Sequence, residues 1–216
     1  MESRSRRFIR AWTSVAIISR AVFTHSRVVF ALALAPFLLM LTSVLSSDLG
    51  PDPAKELALR TGEWAFRFLL LALAMTPLRH LTGRLEFSRR RRMIGLFALF
   101  YASVHFLVWM AFLLGFRWGA ILEEVVERPY ITVGFAAYLV LLVLGLTSPK
   151  AMVRRLGRHW RRLHRLVYAA GVMALIHLLW IVRTDLSEAV TYGLILLLLL
   201  AWRVYHARAG WRGSKS

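Results

Sequence analysis

Arg89-Arg-Arg-Arg-Met93-Ile-Gly-Leu-Phe-Ala-Leu-Phe-Tyr101-Ala-Ser-Val-His105-Phe-Leu-Val-Trp109-Met-Ala-Phe-Leu-Leu-Gly-Phe116 is the stretch that decides the fold. Four arginines lead into a run without charge from Met93 to Phe116. At the helical rise of about 1.5 Å per residue, such a run crosses a hydrocarbon layer about 30 Å thick. Its apolar residues are continuous, whereas a transmembrane barrel strand would alternate at period two. A single ionisable side chain, His105, interrupts it.

Working outward, five further apolar segments give six in all, near 28–45, 64–78, 93–116, 130–147, 163–182 and 189–205. The second is the shortest and holds Arg67 near one end and Pro77 near the other, which fits a short span with snorkelling ends. The reading is an all-α, six-helix transmembrane bundle over residues 28–206, with a basic interfacial segment at 1–27 and a short tail at 207–216. Composition agrees: 58% of the 216 residues are apolar, 19% are charged, and a soluble domain of this size has too little interior for that much apolar surface. The absence of cysteine removes disulfides, iron–sulfur clusters and thiolate chemistry.

The formal charge of +18 would by itself suggest a nucleic-acid partner, but the apolar runs exclude that as the first reading. Most of the 29 basic residues fall on one side of the alternating spans, in the N-terminal segment, at 79–92, at 150–165 and at 203–215. By the positive-inside rule both termini are then cytoplasmic. Nine of the 11 acidic residues fall on the other side. Ser5-Arg6-Arg7-Phe8 is similar to a twin-arginine export signal, yet no small-residue cleavage site follows, and the segment reads as an interfacial lead-in with Trp12 and Phe23 at headgroup depth.

Chemistry is expected from polar groups inside the spans, because an ionisable group in hydrocarbon is costly. His105 lies in the third span, while His164 opens the fifth and His177 lies deep within it. A lone membrane histidine is ordinarily bonded to a neighbouring hydroxyl or carbonyl, but three together point to ligation. His105 stands 13 residues beyond Arg92 and His177 stands 15 beyond Arg162, so both lie about 20 Å from the basic face. Two neutral imidazoles at matched depth on two helices are what a bis-histidine b-type haem requires. No Asp or Glu shares those spans, which weakens a carboxylate proton relay.

His164, 13 residues from His177, would place a second haem near the basic face. The two rings would stand about 140° apart around an ideal helix, so a bend is needed, and Gly171 lies between them. The third span offers no histidine at that depth. Arg91 occupies the matching helix face and, being permanently charged, suits a haem propionate or a flavin phosphate better than iron. His25, His80, His159 and His206 read as headgroup contacts, with His80 the reserve ligand. Phe106, Trp109, Met173 and Trp180 are either a haem-facing set or ordinary packing. No nucleotide-binding glycine loop, P-loop, nucleophile elbow or HExxH motif occurs.

Several stretches together carry a family resemblance: Asp52-Pro-Ala-Lys-Glu, Thr61-Gly62, Thr76-Pro77-Leu78, the run from Arg91 to His105, Arg128-Pro129-Tyr130, and Trp160-Arg-Arg-Leu-His164 through His177-Leu-Leu-Trp180. They cover roughly 52–206, and over them the chain resembles the ferric-reductase-like transmembrane proteins. Within these it is similar to the MsrQ (YedZ) family, haem-binding subunits of the periplasmic methionine sulfoxide reductase system. The resemblance implies His105, His164 and His177 as haem-ligating positions and one or two haems b, with FMN as a further cofactor. It implies an electron-transfer subunit, not the sulfoxide-reducing catalyst, that carries electrons from quinol or a cytosolic flavin reductase to a periplasmic molybdopterin methionine sulfoxide reductase. In related ferric reductases each of two helices carries a histidine pair, so Arg91 is a departure at the inner position. A metal-ion or oxygen reductase and a haem-free transporter or assembly factor are the competing readings. Membrane lipid is an expected partner and nucleic acid is not.

Overall fold

The structure is a computed structural model that describes residues 26–181 and 186–213. Trp12, Phe23, His25, the arginine pair at Arg6 and Arg7, Arg183, Asp185 and Lys215 lie outside the described residues. The chain divides into two compact units, Met1–Ser46 and Ser47–Ser216. The described part of the first is one helix, α1 (Ser26–Leu45), in which the Thr42 and Ser43 hydroxyls donate to the Leu39 carbonyl at 2.8 and 3.2 Å.

The second unit contains α2 (Pro53–Thr82), α3 (Glu86–Val108) continued by a π-helical turn (Trp109–Leu113), the short α4 (Trp118–Glu127), α5 (Pro129–Leu146), the basic short helices α6 (Lys150–Leu156) and α7 (Arg158–Leu163), α8 (Leu166–Ile181) and α9 (Ser187–Gly213). No strand occurs among the described residues. Among the described residues, five helices are long and apolar enough to cross a membrane: Arg27–Leu45, Glu86–Leu113, Pro129–Leu146, Arg158–Ile181 and Ser187–Arg208.

α2 departs from the expected short span. It is 30 residues long, begins where the Asp52 carboxylate accepts from the Lys55 amide at 3.1 Å with Pro53 in the first turn, and ends at Gly83, whose φ of 68° closes it through a bond to the Arg79 carbonyl. Pro77 lies inside it. Arg67 does not snorkel. Its Nε donates to the Tyr192 hydroxyl of α9 at 2.6 Å and its Nη2 to Glu63 at 2.9 Å, over the Trp64 ring. The physical reason is position: Thr61, Leu69 and Leu73 are almost wholly enclosed by protein, so α2 is not selected for lipid contact and tolerates charge that is paired internally.

α2 packs along α3, and α5 packs along α8. Phe68 and Tyr101 stack across the first pair with centroids 5.1 Å apart and planes 8° apart. The two pairs meet where α3 touches α5 and α2 touches α8, and α9 lies against α8 and α2. The helix of the fifth span is interrupted at His164-Arg165, where α7 gives way to α8, and runs unbroken through Gly171, the position expected to permit a bend. The bare Cα of Gly171 lets the Leu196 side chain of α9 approach.

Gly145 of α5 and Gly95 of α3 provide a paired test of this packing. A Cβ at Gly145 would overlap the Leu99 side chain, whereas one at Gly95 meets nothing within 4 Å. Gly145→Ala is expected to lower stability by about 1–3 kcal/mol through overpacking, and Gly95→Ala to raise it by about 0.5–1 kcal/mol through helix propensity. Thermal unfolding of the detergent-solubilised variants checks both signs.

Candidate functional site

His105 on α3 and His177 on α8 face each other across the junction of the two helix pairs, with ring centroids 6.2 Å apart and planes at 77°. Each ring is held by a main-chain carbonyl of a third or fourth helix. His105 Nδ1 donates to the Ala58 carbonyl of α2 at 2.9 Å, and His177 Nδ1 donates to the Tyr130 carbonyl of α5 at 2.7 Å. A carbonyl only accepts, so both rings carry the proton on Nδ1 and leave Nε2 with its lone pair. No hydrogen bond engages either Nε2 among the described residues.

Glycine makes these approaches possible. A Cβ at Gly62 of α2 would lie 3.2 Å from the His105 ring, and one at Gly134 of α5 would lie 2.6 Å from the His177 Nδ1. The rings therefore occupy space that any side chain at those positions would take. After His105 the helix widens: the Leu114 amide bonds to the Trp109 carbonyl, five residues back, at 3.2 Å. Such π turns relieve the regular ladder near functional groups.

The two histidines open on a cavity of about 620 Å³. Phe66, Leu69, Phe106, Ala137 and Leu141 give it an apolar body, and Trp109 and Trp180 also line it, whereas Met173 is not among its lining residues. Two imidazoles on opposite faces of one metal ion, at ~2 Å per metal–nitrogen bond, have centroids about 6 Å apart, which is the spacing found here. The tautomers, the spacing, the glycine cradle and the apolar enclosure fit a haem held by both rings.

His164 belongs to a different environment. Its ring stacks on Trp160 with centroids 4.0 Å apart, and its Nε2 lies 3.1 Å from the Thr147 hydroxyl. That hydroxyl donates to the Val143 carbonyl at 2.7 Å, so His164 Nε2 is the donor and its lone pair is not on that nitrogen. His80 does not join it. His80 packs with Trp202 and His206 at centroid distances of 5.2 and 5.8 Å, between α2 and α9. Arg91 is close enough to act electrostatically on His164 and is itself influenced by Arg203. Arg203 donates through Nη2 to Thr76 at 2.9 Å and lies over the Tyr168 ring, while its buried Nε has no partner.

Sequence reasoning did not find the supporting groups. Ala58 and Tyr130 act through main-chain oxygens, which leave no trace in residue identity. The only sequence signals are Gly62 and Gly134, small residues placed four positions after each acceptor.

The family described as the ferric reductase like transmembrane component matches residues 61–176, a region that contains His105 and His164 and stops one residue before His177. The chain is 46% identical to the protein-methionine-sulfoxide reductase heme-binding subunit MsrQ of Xanthomonas euvesicatoria pv. vesicatoria (strain 85-10), over 90% of each chain. It is 47% identical to the protein of the same name from Xanthomonas campestris pv. campestris (strain 8004), covering 89% of this chain and 88% of the relative. The Bordetella pertussis protein of that name is 41% identical over 91% of this chain and 95% of its own. The chain belongs to the MsrQ family of ferric-reductase-like transmembrane proteins. No solved structure matches it.

The glycine cradle sets the order of two substitutions. Gly134→Ala is expected to push the His177 ring off the Tyr130 carbonyl and to cut the haem content of the purified chain at least tenfold, and Gly62→Ala to cut it less, because 3.2 Å can be relieved by a small shift and 2.6 Å cannot. Absorbance of haem per mole of protein measures both.

Proposed function

We propose that the protein is a multi-pass b-type cytochrome in which His105 and His177 hold a haem, and that it carries electrons from quinol or a cytosolic flavin reductase to a periplasmic molybdopterin methionine sulfoxide reductase. The observation that carries this reading is the pair of imidazoles 6.2 Å apart, each with Nδ1 spent on a carbonyl and Nε2 left over. The haem supplies one-electron exchange at iron. The protein's own groups do the rest: Ala58 and Tyr130 fix the tautomers, Gly62 and Gly134 let the rings seat, and the apolar lining excludes water. Relatives that share up to 47% identity are named as heme-binding subunits of a methionine sulfoxide reductase, which supports both the cofactor and the acceptor.

The topology proposed with it has six spans, α2 being the sixth, in the bacterial inner membrane with both termini cytoplasmic. The Glu123, Glu124, Glu127 and Glu188 end, toward which α3 and α8 run from their basic ends, then faces the periplasmic partner. At the basic end, Arg91 holds an anionic group, a propionate or an FMN phosphate. The unpartnered Arg203 Nε beside it supports that role, and ligation of a second haem through His164 Nε2 requires release of Thr147.

A reduced-minus-oxidised spectrum of the purified protein tests the reading and separates it from a haem-free transporter. A low-spin haem b signal is expected in the wild type and its loss in His105→Ala and in His177→Ala, with the chain still inserted. Full signal in both variants overturns the pairing. Cysteines at positions 123 and 188 are expected to label from outside intact cells, and labelling only after permeabilisation overturns the orientation.

A further inference from the structure

The cavity that holds His105 and His177 is lined mostly by apolar residues, and three of its charged lining residues stand at helix ends, Lys55 in the first turn of α2, Glu124 in the last turn of α4 and Arg128 just before α5. The remaining charged lining residue, Glu63, is paired with Arg67 at 2.9 Å. Glu124 is paired with Arg128 Nε at 2.8 Å, and Arg128 Nη1 donates to the Tyr130 hydroxyl at 3.1 Å, which leaves the Nη2 edge of the guanidinium uncommitted. Lys55 has no side-chain partner among the described residues. Its backbone amide serves the Asp52 cap, and its ammonium is a free cation at the rim.

The register of these two cations repeats on both sides of the cavity. Lys55 stands three residues before Ala58, whose carbonyl fixes His105, and Arg128 stands two residues before Tyr130, whose carbonyl fixes His177. Each chain segment that orients a ring thus also delivers a cation to the same rim. Lys55 precedes Gly62, the residue in contact with the His105 ring, by seven positions, or about 10 Å of helix. Toward the other end of the cavity, Leu69 and Leu141 present no polar side-chain group.

We propose that Lys55 and Arg128 clamp the two carboxylates of the haem held by His105 and His177, so that its propionate edge points to the rim and its hydrocarbon edge to the apolar end. This rests on the haem reading given above. A haem carboxylate is excluded from the apolar body of the cavity and directed to its exposed rim, and the rim supplies an ammonium and the open edge of a guanidinium, groups suited to charge-assisted carboxylate contact. Glu124 competes for the same guanidinium, so it tunes the clamp from the opposing side.

The test uses the full chain in detergent, loaded either with haem or with haem dimethyl ester, and measures the rate of transfer to excess apomyoglobin. Lys55→Gln and Arg128→Gln are each expected to speed haem loss about tenfold and the double variant about a hundredfold, in line with one charge-assisted contact per residue. The wild type should lose the ester faster than haem, and the double variant should show a much smaller difference between ester and haem, which is the coupling a double-mutant cycle reads. Glu124→Gln should slow haem loss by releasing Arg128. Equal retention of ester and haem by the wild type, with a low-spin bis-histidine spectrum in both, overturns the clamp and leaves the ligation intact. Absence of that spectrum from the wild type overturns the ligation beneath it, and the clamp with it.

Discussion

Two hydrogen bonds from histidine to main chain organise the second unit. A neutral imidazole in an apolar cavity needs an acceptor for its one N–H, and in a membrane protein no water shares that task. Ala58 and Tyr130 supply the acceptors from helices other than those that carry the histidines. That requirement draws α2 against α3 and α5 against α8, and it brings each pair close enough that Gly62 and Gly134 have no room for a side chain. The pairing of helices and the tautomer of the rings are two sides of one constraint.

The two ends of the bundle treat charge in opposite ways. Near His105 and His177 the ionisable groups are paired or at the rim, and the rings are neutral donors to carbonyls. At the basic end Arg91 and Arg203 lie together around Tyr168 and Thr76, with one guanidinium nitrogen buried and unbonded. His164 at that end has its Nε2 on a threonine hydroxyl and its face on Trp160. The first end is organised around a lone pair, the second around excess positive charge. The two ends therefore present distinct local potentials within one bundle.

The apolar runs, the basic clusters between them and the three histidines were legible from residue types alone, because hydrocarbon length and the cost of buried charge act directly on composition. Matched counting from Arg92 and Arg162 was enough to expect His105 and His177 at one depth, because the interruption at His164-Arg165 lies at the basic end and α8 is regular from Leu166 to His177. The true extent of α2 was not legible. Its enclosed position lets Glu56, Arg60, Glu63 and Arg67 pair within the protein, so its sequence lacks the lipid-facing signature of the others. The interruption at His164-Arg165 was not legible, and Gly171 stays helical, because a glycine signals permission to bend and not an obligation. The seats of the rings stayed hidden for a further reason: they are made of backbone.

Acceptors made of backbone carry a consequence for how this site withstands change over time. A carbonyl at position 58 or 130 is present whatever residue stands there, so replacement of Ala58 by another helix-forming residue preserves the bond that orients the His105 ring. The burden of invariance moves to the two glycines, which contribute no chemical group at all. Mutational latitude is thus widest at the positions that do the orienting and narrowest at the positions that only stay out of the way.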